Sequence, residues 1–175
     1  MQIRELAASD AAQYGDLRLR MLREYSEAFT SSFEEDSVKP LVWAQERLAP
    51  GKHAPHDFVL GAFAEDGALI GSVGLGVETR TKQRHKALLF GMYVAPEQMA
   101  HGVGRALLSA CLDRARSIPG LEQINLTVTT TNVRSVSFYE AAGFRIFGIE
   151  ERALKIDSAY YPKAHMVLYF ERSAR

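Results

Sequence analysis

The chain has 175 residues, 47% of them hydrophobic and 24% charged, with 21 basic residues balanced by 21 acidic ones. That size sets the expectation of a single domain, residues 1–175, with one sizeable core. The even charge argues against a nucleic-acid binder that relies on counterion release, and the apolar runs are too short to span a bilayer. The only cysteine, Cys111, excludes an intrachain disulfide and fits a reducing compartment. Residues 1–6 carry no apolar signal-peptide core, so a cytoplasmic protein is expected.

In chain order, residues 2–6 predict a strand, and Ser9-Asp10 resembles a helix N-cap. Leu17, Met21, Leu22, Tyr25, Ala28 and Phe29 recur at helical spacing, which predicts a helix ending near Phe29. Residues 30–37, with Glu34, Glu35 and Asp36, read as a polar loop. Residues 41–48 read as a short helix closed by Pro50-Gly51, and a loop with His53, Pro55 and His56 follows. Strands are predicted over 57–64 and 68–77, joined by the hairpin signal Asp66-Gly67. Gly71, Gly74 and Gly76 in the second strand permit bulges or close backbone approach. Residues 80–86 form a basic connection into a strand over 87–94. Pro96 stops it, and a helix starts at about Gly104 with Val103, Leu107, Cys111, Ala115 and Ile118 on one face. A strand over 123–130, a helix from Asn132 to a C′ glycine at Gly143, and strands over 144–152 and 165–171 complete the chain. A loop carrying Asp157, Tyr160, Tyr161 and Pro162 is expected between the last two strands.

The stretch 88–108 has a chemistry of its own. A strand that delivers its chain into a glycine turn at a helix N-terminus builds an anion site, because the first helical N–H groups have no partners and the dipole adds positive charge. Val94-Ala95-Pro96-Glu97 followed by Gly102-Val103-Gly104-Arg105-Ala106-Leu107-Leu108 resembles the pyrophosphate loop, Gln/Arg-x-x-Gly-x-Gly/Ala, of the GCN5-related N-acetyltransferases, the GNAT family. Asn132 to Phe144 resembles that family's asparagine-to-tyrosine helix and the Gly-Phe that leaves it. The two segments stand at the family's separation with a strand between them, and the element order matches over essentially the whole chain. Two positions depart from the pattern: Met99 stands at the Gln/Arg position and Ala100 where glycine often follows.

The resemblance implies an α/β GNAT acyl-CoA N-acyltransferase fold. That fold has a central mixed, largely antiparallel sheet of about seven strands, splayed parallel strands at its centre and helices on both faces. It also implies transfer of acetyl from acetyl-CoA to a primary amine, on a small molecule or a peptide or protein, by direct attack in a ternary complex. Acetyl-CoA is then the co-substrate, held by Met92, Tyr93 and Val94 on the first splayed strand. Met99, Ala100, His101, Gly102, Val103, Gly104 and Arg105 hold the pyrophosphate, with Asn132, Ser135 and Tyr139 beyond. Gly91 is expected to be a bulge that frees backbone groups. Alternation places Phe90, Met92 and Val94 on one face and Leu89 and Tyr93 on the other.

Tyr139 matches the family's general acid for the departing thiolate. A phenol of pKa ~10 protonates a thiolate whose conjugate acid lies near ~8.5 only slightly uphill. An amine of pKa ~10.4 must first lose a proton, at a cost of about 4.6 kcal/mol at pH 7. The general base cannot be read from the residues. Tyr25, Phe33, Glu34, Phe90, Tyr161 and His165 are candidates for the acceptor pocket. At least two of Glu34, Glu35 and Asp36 are expected to be solvated. No metal is expected, since His53 and His56 lack partners at ligand spacing, nor is a nucleic-acid or membrane partner. By family analogy the last strands are a candidate homodimer surface. A catalytically weak CoA-binding regulatory or sensor module is the alternative function.

Overall fold

The computed structural model describes residues 1–49 and 56–170. Pro50, Gly51, His53, Pro55 and Glu171 lie outside the described residues. Seven strands form one sheet: β1 (Gln2–Glu5), β2 (Phe58–Phe63), β3 (Leu69–Val77), β4 (Lys86–Val94), β5 (Gln123–Thr129), β6 (Arg145–Ile156) and β7 (Ala159–Tyr169). Their order is β1-β2-β3-β4-β5-β7-β6. Every neighbouring pair is antiparallel except β4–β5. The helices are α1 (Ala11–Glu24), α2 (Phe33–Ser37), α3 (Leu41–Arg47), α4 (Val103–Arg116) and α5 (Val133–Ala141).

Both faces of the sheet are covered, so its central strands are apolar on both sides. On one face α4 lays Val103, Leu107, Cys111 and Ala115 against Val73, Leu75, Ile124 and Met166. Leu107 is completely buried, which at the usual worth of a buried leucine stabilises by about 1.5–3 kcal/mol. On the other face Leu17, Met21 and Leu22 of α1 pack with Val59, Phe63 and Tyr93. Among the described residues, no helix is long and apolar enough to cross a membrane.

Two strands part at the centre. β4 and β5 pair only from Lys86↔Gln123 to Leu88↔Asn125, and the remainder of each diverges, as the splayed pair of the expected fold requires. A second irregularity sits beside the opening. Ser72 pairs with Tyr93 and Gly74 with Phe90, so Val73 alone faces both Gly91 and Met92. This is a bulge of the kind expected at Gly91, whose φ of +59° suits glycine. The bulge overturns the expected facing. Its extra residue resets the alternation, so Leu89, Met92 and Val94 share the α4 face while Phe90 joins Tyr93 on the α1–α3 face. Gly74 makes room for this, because a Cβ there would overlap the Phe90 ring.

Other boundaries also differ from expectation. α1 ends at Glu24, not near Phe29, because Tyr25 leaves helical geometry at φ −136°, ψ 56°. Asp10, expected with Ser9 as a side-chain cap, accepts instead from Ala7 N–H at 2.8 Å and from Arg4. The expected polar loop over 30–37 contains α2, started by a capping box. There Ser32 Oγ accepts from Glu35 N–H at 3.1 Å, and Glu35 Oε2 accepts from Ser32 N–H at 3.0 Å. Tyr160, Tyr161 and Pro162 lie within β7, not in a loop. β6 and β7 run on as a long hairpin whose turn is Asp157-Ser158, with Asp157 at φ +52°.

Candidate functional site

Where β4 and β5 part, a cleft of about 730 Å³ opens through the sheet, lined by residues from both faces. On the α4–α5 face the chain leaves β4 through a short turn over Pro96–Gln98. It then passes two left-handed residues, Ala100 (φ +69°) and Gly102 (φ +78°). Gly102 caps α4, and the first intrahelical bond runs from Ala106 N–H to the Gly102 carbonyl at 3.0 Å. The N–H groups of Val103, Gly104 and Arg105 therefore have no carbonyl partner within the helix. A Cβ at Gly102 would meet nothing within 4 Å of protein, so the space in front of these donors is open. Met99, Ala100, Gly102, Val103, Gly104 and Arg105 line the cleft, whereas His101 does not.

The adjoining wall is α5. Asn132 caps it, its side-chain oxygen accepting from Ser135 N–H at 3.1 Å. Asn132, Ser135, Phe138 and Tyr139 all line the cleft. Tyr139 is 7% exposed, its ring edge-on to Phe138 and Phe144 at 5.2 and 5.8 Å between centroids. Its hydroxyl makes no hydrogen bond to the described residues. No described buried side-chain N or O atom lacks a partner, so this hydroxyl is open to the cleft. Burial, and to a lesser degree Cys111, pushes the phenol well above its ordinary value, so it keeps its proton as a donor.

On the opposite face the cleft is walled by Tyr25, Ala28, Phe29, Thr30 and Ser31 from the segment after α1, together with Phe90 and Tyr93. Tyr93 O–H donates to Glu24 at 2.6 Å. Burial and that carboxylate hold the Tyr93 phenol far above its usual range. Arg20 donates to both oxygens of Glu97 at 2.7 and 2.6 Å and to Glu24 at 2.8 Å, which ties α1 to the turn before α4. Arg20 holds the Glu97 carboxyl down at about 2. Met92 and Val94 also line the cleft, so every expected residue of the first splayed strand is there.

Phe33, Glu34, Tyr161 and His165 are absent from its lining. Phe33 lies under Arg23 at 4.4 Å. Glu34 and Glu35 are exposed. Tyr161 pairs with Leu154, and His165 lies 3.4 Å from Glu150. Asp36 is the buried member of the acidic run, 5% exposed and ion-paired with both Arg18 and Lys39. Burial pushes its carboxyl up, but Lys39 and Arg18 outweigh that and hold it below the usual range.

Four cations in the lining were not foreseen from the sequence: Arg18, Arg47, Arg134 and Lys163. Arg18 also donates to Ser31 Oγ at 3.0 Å. Arg47 donates to Tyr14 Oη at 3.1 Å and stacks over the Phe90 ring at 4.8 Å. Lys163 is 6% exposed and donates to Thr30 Oγ1 at 3.2 Å, and burial lowers its ammonium pKa. A lysine in a strand ordinarily reads as surface. Its burial follows from the register that places it opposite Thr129, whose own hydroxyl donates inward to the Glu27 carbonyl at 2.6 Å, and the sequence alone does not show that register. Among the described residues, no three of His, Cys, Asp or Glu come together as a metal-ligand set.

The model of the acetyltransferase (GNAT) family matches residues 18–144. No curated protein matches the chain in sequence. Among solved structures, a GCN5-related N-acetyltransferase from Kribbella flavida is 23% identical with a TM-score of 0.81, covering 97% of each chain. YncA from Salmonella typhimurium, solved with its cofactor acetyl-CoA, is 21% identical with a TM-score of 0.78, covering 100% of this chain and 96% of its own. A SpeG spermidine N-acetyltransferase chimera from Vibrio cholerae and hSSAT is 22% identical with a TM-score of 0.73, covering 97% of this chain and 96% of its own.

Proposed function

The chain belongs to the GNAT acetyltransferase family, and from that premise we propose that it moves acetyl from acetyl-CoA to a primary amine by direct attack in a ternary complex. One observation carries the reading: the opening between β4 and β5 leads straight to the partnerless N–H groups at the start of α4. Those donors, the helix dipole and the open space at Gly102 fit a pyrophosphate. β4 beyond Leu88 has no strand partner on its β5 side, so its backbone can pair with the amides of a pantetheine arm. Met99, Ala100 and Gly102 to Arg105 would hold the phosphates, and Met92 to Val94 the arm. Methionine in place of Gln or Arg at position 99 leaves these backbone donors in place.

The co-substrate supplies a thioester whose acyl carbon an amine can attack. The chain's part is to position the two molecules and move protons. Tyr139 holds its hydroxyl proton in a desolvated wall and gives it to the sulfur as the C–S bond breaks and the C–N bond forms; the proton shed by the nitrogen restores the phenol, and the desolvation that raises the phenol also raises the proton affinity of the departing thiolate beside it. Cys111, the only thiol, is wholly buried and pushed up to about 12. It is in no state to carry the acetyl group, which favours direct transfer. The amine is proposed to enter from the α1–α3 face, among Tyr25, Phe90 and Lys163. That an amine is the acceptor has support from the spermidine-acetylating neighbour.

The test is release of CoA thiol from acetyl-CoA on adding a panel of primary amines, run beside calorimetry with acetyl-CoA. Micromolar binding and acceptor-dependent thiol release are expected. Tight binding with no release for any amine would instead identify a sensor module.

A further inference from the structure

The acceptor half of the cleft carries cations without acids. Arg18, Arg47 and Lys163 line it, and no Asp or Glu does among the described residues. The charge of Arg18 is met by Asp36. Lys163 is different. It is buried, its side-chain hydrogen-bond partner among the described residues is the neutral Thr30 hydroxyl, and no carboxylate lies within ion-pair distance of it among the described residues. The nearest acid in the sheet register is Glu150, its β6 partner, which is exposed and lies 3.4 Å from His165; its charge reaches Lys163 but offsets less than burial takes away. Among the described residues, Arg47 bonds to Tyr14 Oη and lies against the Phe90 and Trp43 rings. It also borders a smaller recess of about 230 Å³ that contains Glu5 and Asp57, so Lys163 is the more telling of the two.

A buried cation whose counter-charge is exposed and beyond ion-pair distance is costly, and a ligand anion in direct contact lowers that cost. A dication such as a polyamine would enter a positive wall with nothing to receive its second charge, and like charges brought together in a desolvated site are costly. On the reading that the cleft performs acetyl transfer to an amine, we propose that the acceptor bears an anionic group beside its amine, as a free amino acid does, and that Lys163 receives that anion. Arg47 adds to the same field from α3. Lys163 is thus a specificity-determining residue. The phosphate end of the cleft has its own cations, Arg105 and Arg134, on the other face of the sheet.

The experiment compares matched acceptors with the full chain and acetyl-CoA, scoring kcat/KM from thiol release. Free amino acids are set against the corresponding amino acid amides, with spermidine as the polycation. Carboxylate acceptors are expected to exceed their amides by about tenfold or more, since a charge-assisted hydrogen bond is worth about 1.5–3 kcal/mol and about 1.4 kcal/mol is tenfold. Lys163→Met is expected to bring that ratio near unity, and Lys163→Arg to keep most of it. The ratio is read within one preparation, so partial unfolding of a variant cancels. Amides or spermidine equal to or better than the acids would overturn the proposal, as would an undiminished ratio in Lys163→Met. Either result leaves acetyl transfer itself standing. Absence of thiol release with every amine removes the transferase reading, and this one with it.

Discussion

Asp36 bears more weight than its place in an acidic run suggests. It is 5% exposed and faces two cations, the Arg18 side chain at 12% exposure and that of Lys39 at 32%. Replacing it with alanine strands both. Breaking a buried pair from one side costs about 3–5 kcal/mol, and the low end applies because Lys39 swings readily into water. A chain of this size gains about 0.37 kcal/mol per degree in unfolding entropy, so a loss of about 3 kcal/mol lowers Tm by about 8 °C. Glu34→Ala, two residues away and exposed, is the control and should move Tm by less than about 1 °C. The sign with pH follows from the carboxyl being held low in the folded state. The contribution of Asp36 is complete above its unfolded value of ~3.9 and fades as pH falls below it toward the folded value. The gap between wild type and Asp36→Ala in thermal melts by circular dichroism should therefore narrow progressively as pH falls below about 4. A shift under about 2 °C at pH 7, or a gap that stays constant down to pH 2, would refute the buried ion cluster as a source of stability.

Tyr139→Phe removes a hydroxyl that bonds to none of the described residues, so Tm should change by less than about 3 °C. In single-turnover assays kcat should fall by about 10²–10⁴, the usual worth of a positioned acid, with little change in acetyl-CoA affinity. Unchanged turnover with chemistry rate-limiting removes the role. Because burial raises this phenol, its loss of a proton should cause no fall in wild-type kcat as pH rises to about 10. Ala100→Gly relieves a left-handed alanine at φ +69°. Removing about 1–2 kcal/mol of strain, less about 0.4–1 kcal/mol of added chain entropy, should raise Tm by about 1–3 °C. Gly74→Ala puts a Cβ into the Phe90 ring, and overpacking of this kind should cost about 1–3 kcal/mol, read as a lower urea midpoint.

Local punctuation made much of the fold legible. Asp66-Gly67 turns as expected with Gly67 at φ +84°, Gly143 sits at φ +95°, and Asn132 caps its helix. What the sequence hid was set by pairing between distant strands. Gly91 could be read as a bulge, but its consequence for Phe90 depends on which residue of β3 stands opposite. The long β6–β7 hairpin was masked by a register shift between Glu150 and Leu154 and by Pro162, both of which interrupt alternation. At the site, the glycine turn and the asparagine helix carry recognisable spacing. Lys163 and Arg47 do not, because a lone cation shows its surroundings only when the chain is folded. The same holds for Asp36, which cannot be told from Glu34 and Glu35 until Arg18 and Lys39 converge on it.

An opening that passes through a sheet has two mouths. Residues from both faces line the gap between β4 and β5. Two molecules can therefore approach one another head-on, each using its own doorway, without either having to leave first. The walls of the two doorways are also coupled, since Arg20 on α1 grips Glu97 in the turn that leads to α4. On the proposed function, a shift of that turn on binding one molecule would pull on the helix beside the other through this exposed ion pair. By thermodynamic reciprocity, whatever factor the first imposes on the second is returned in full.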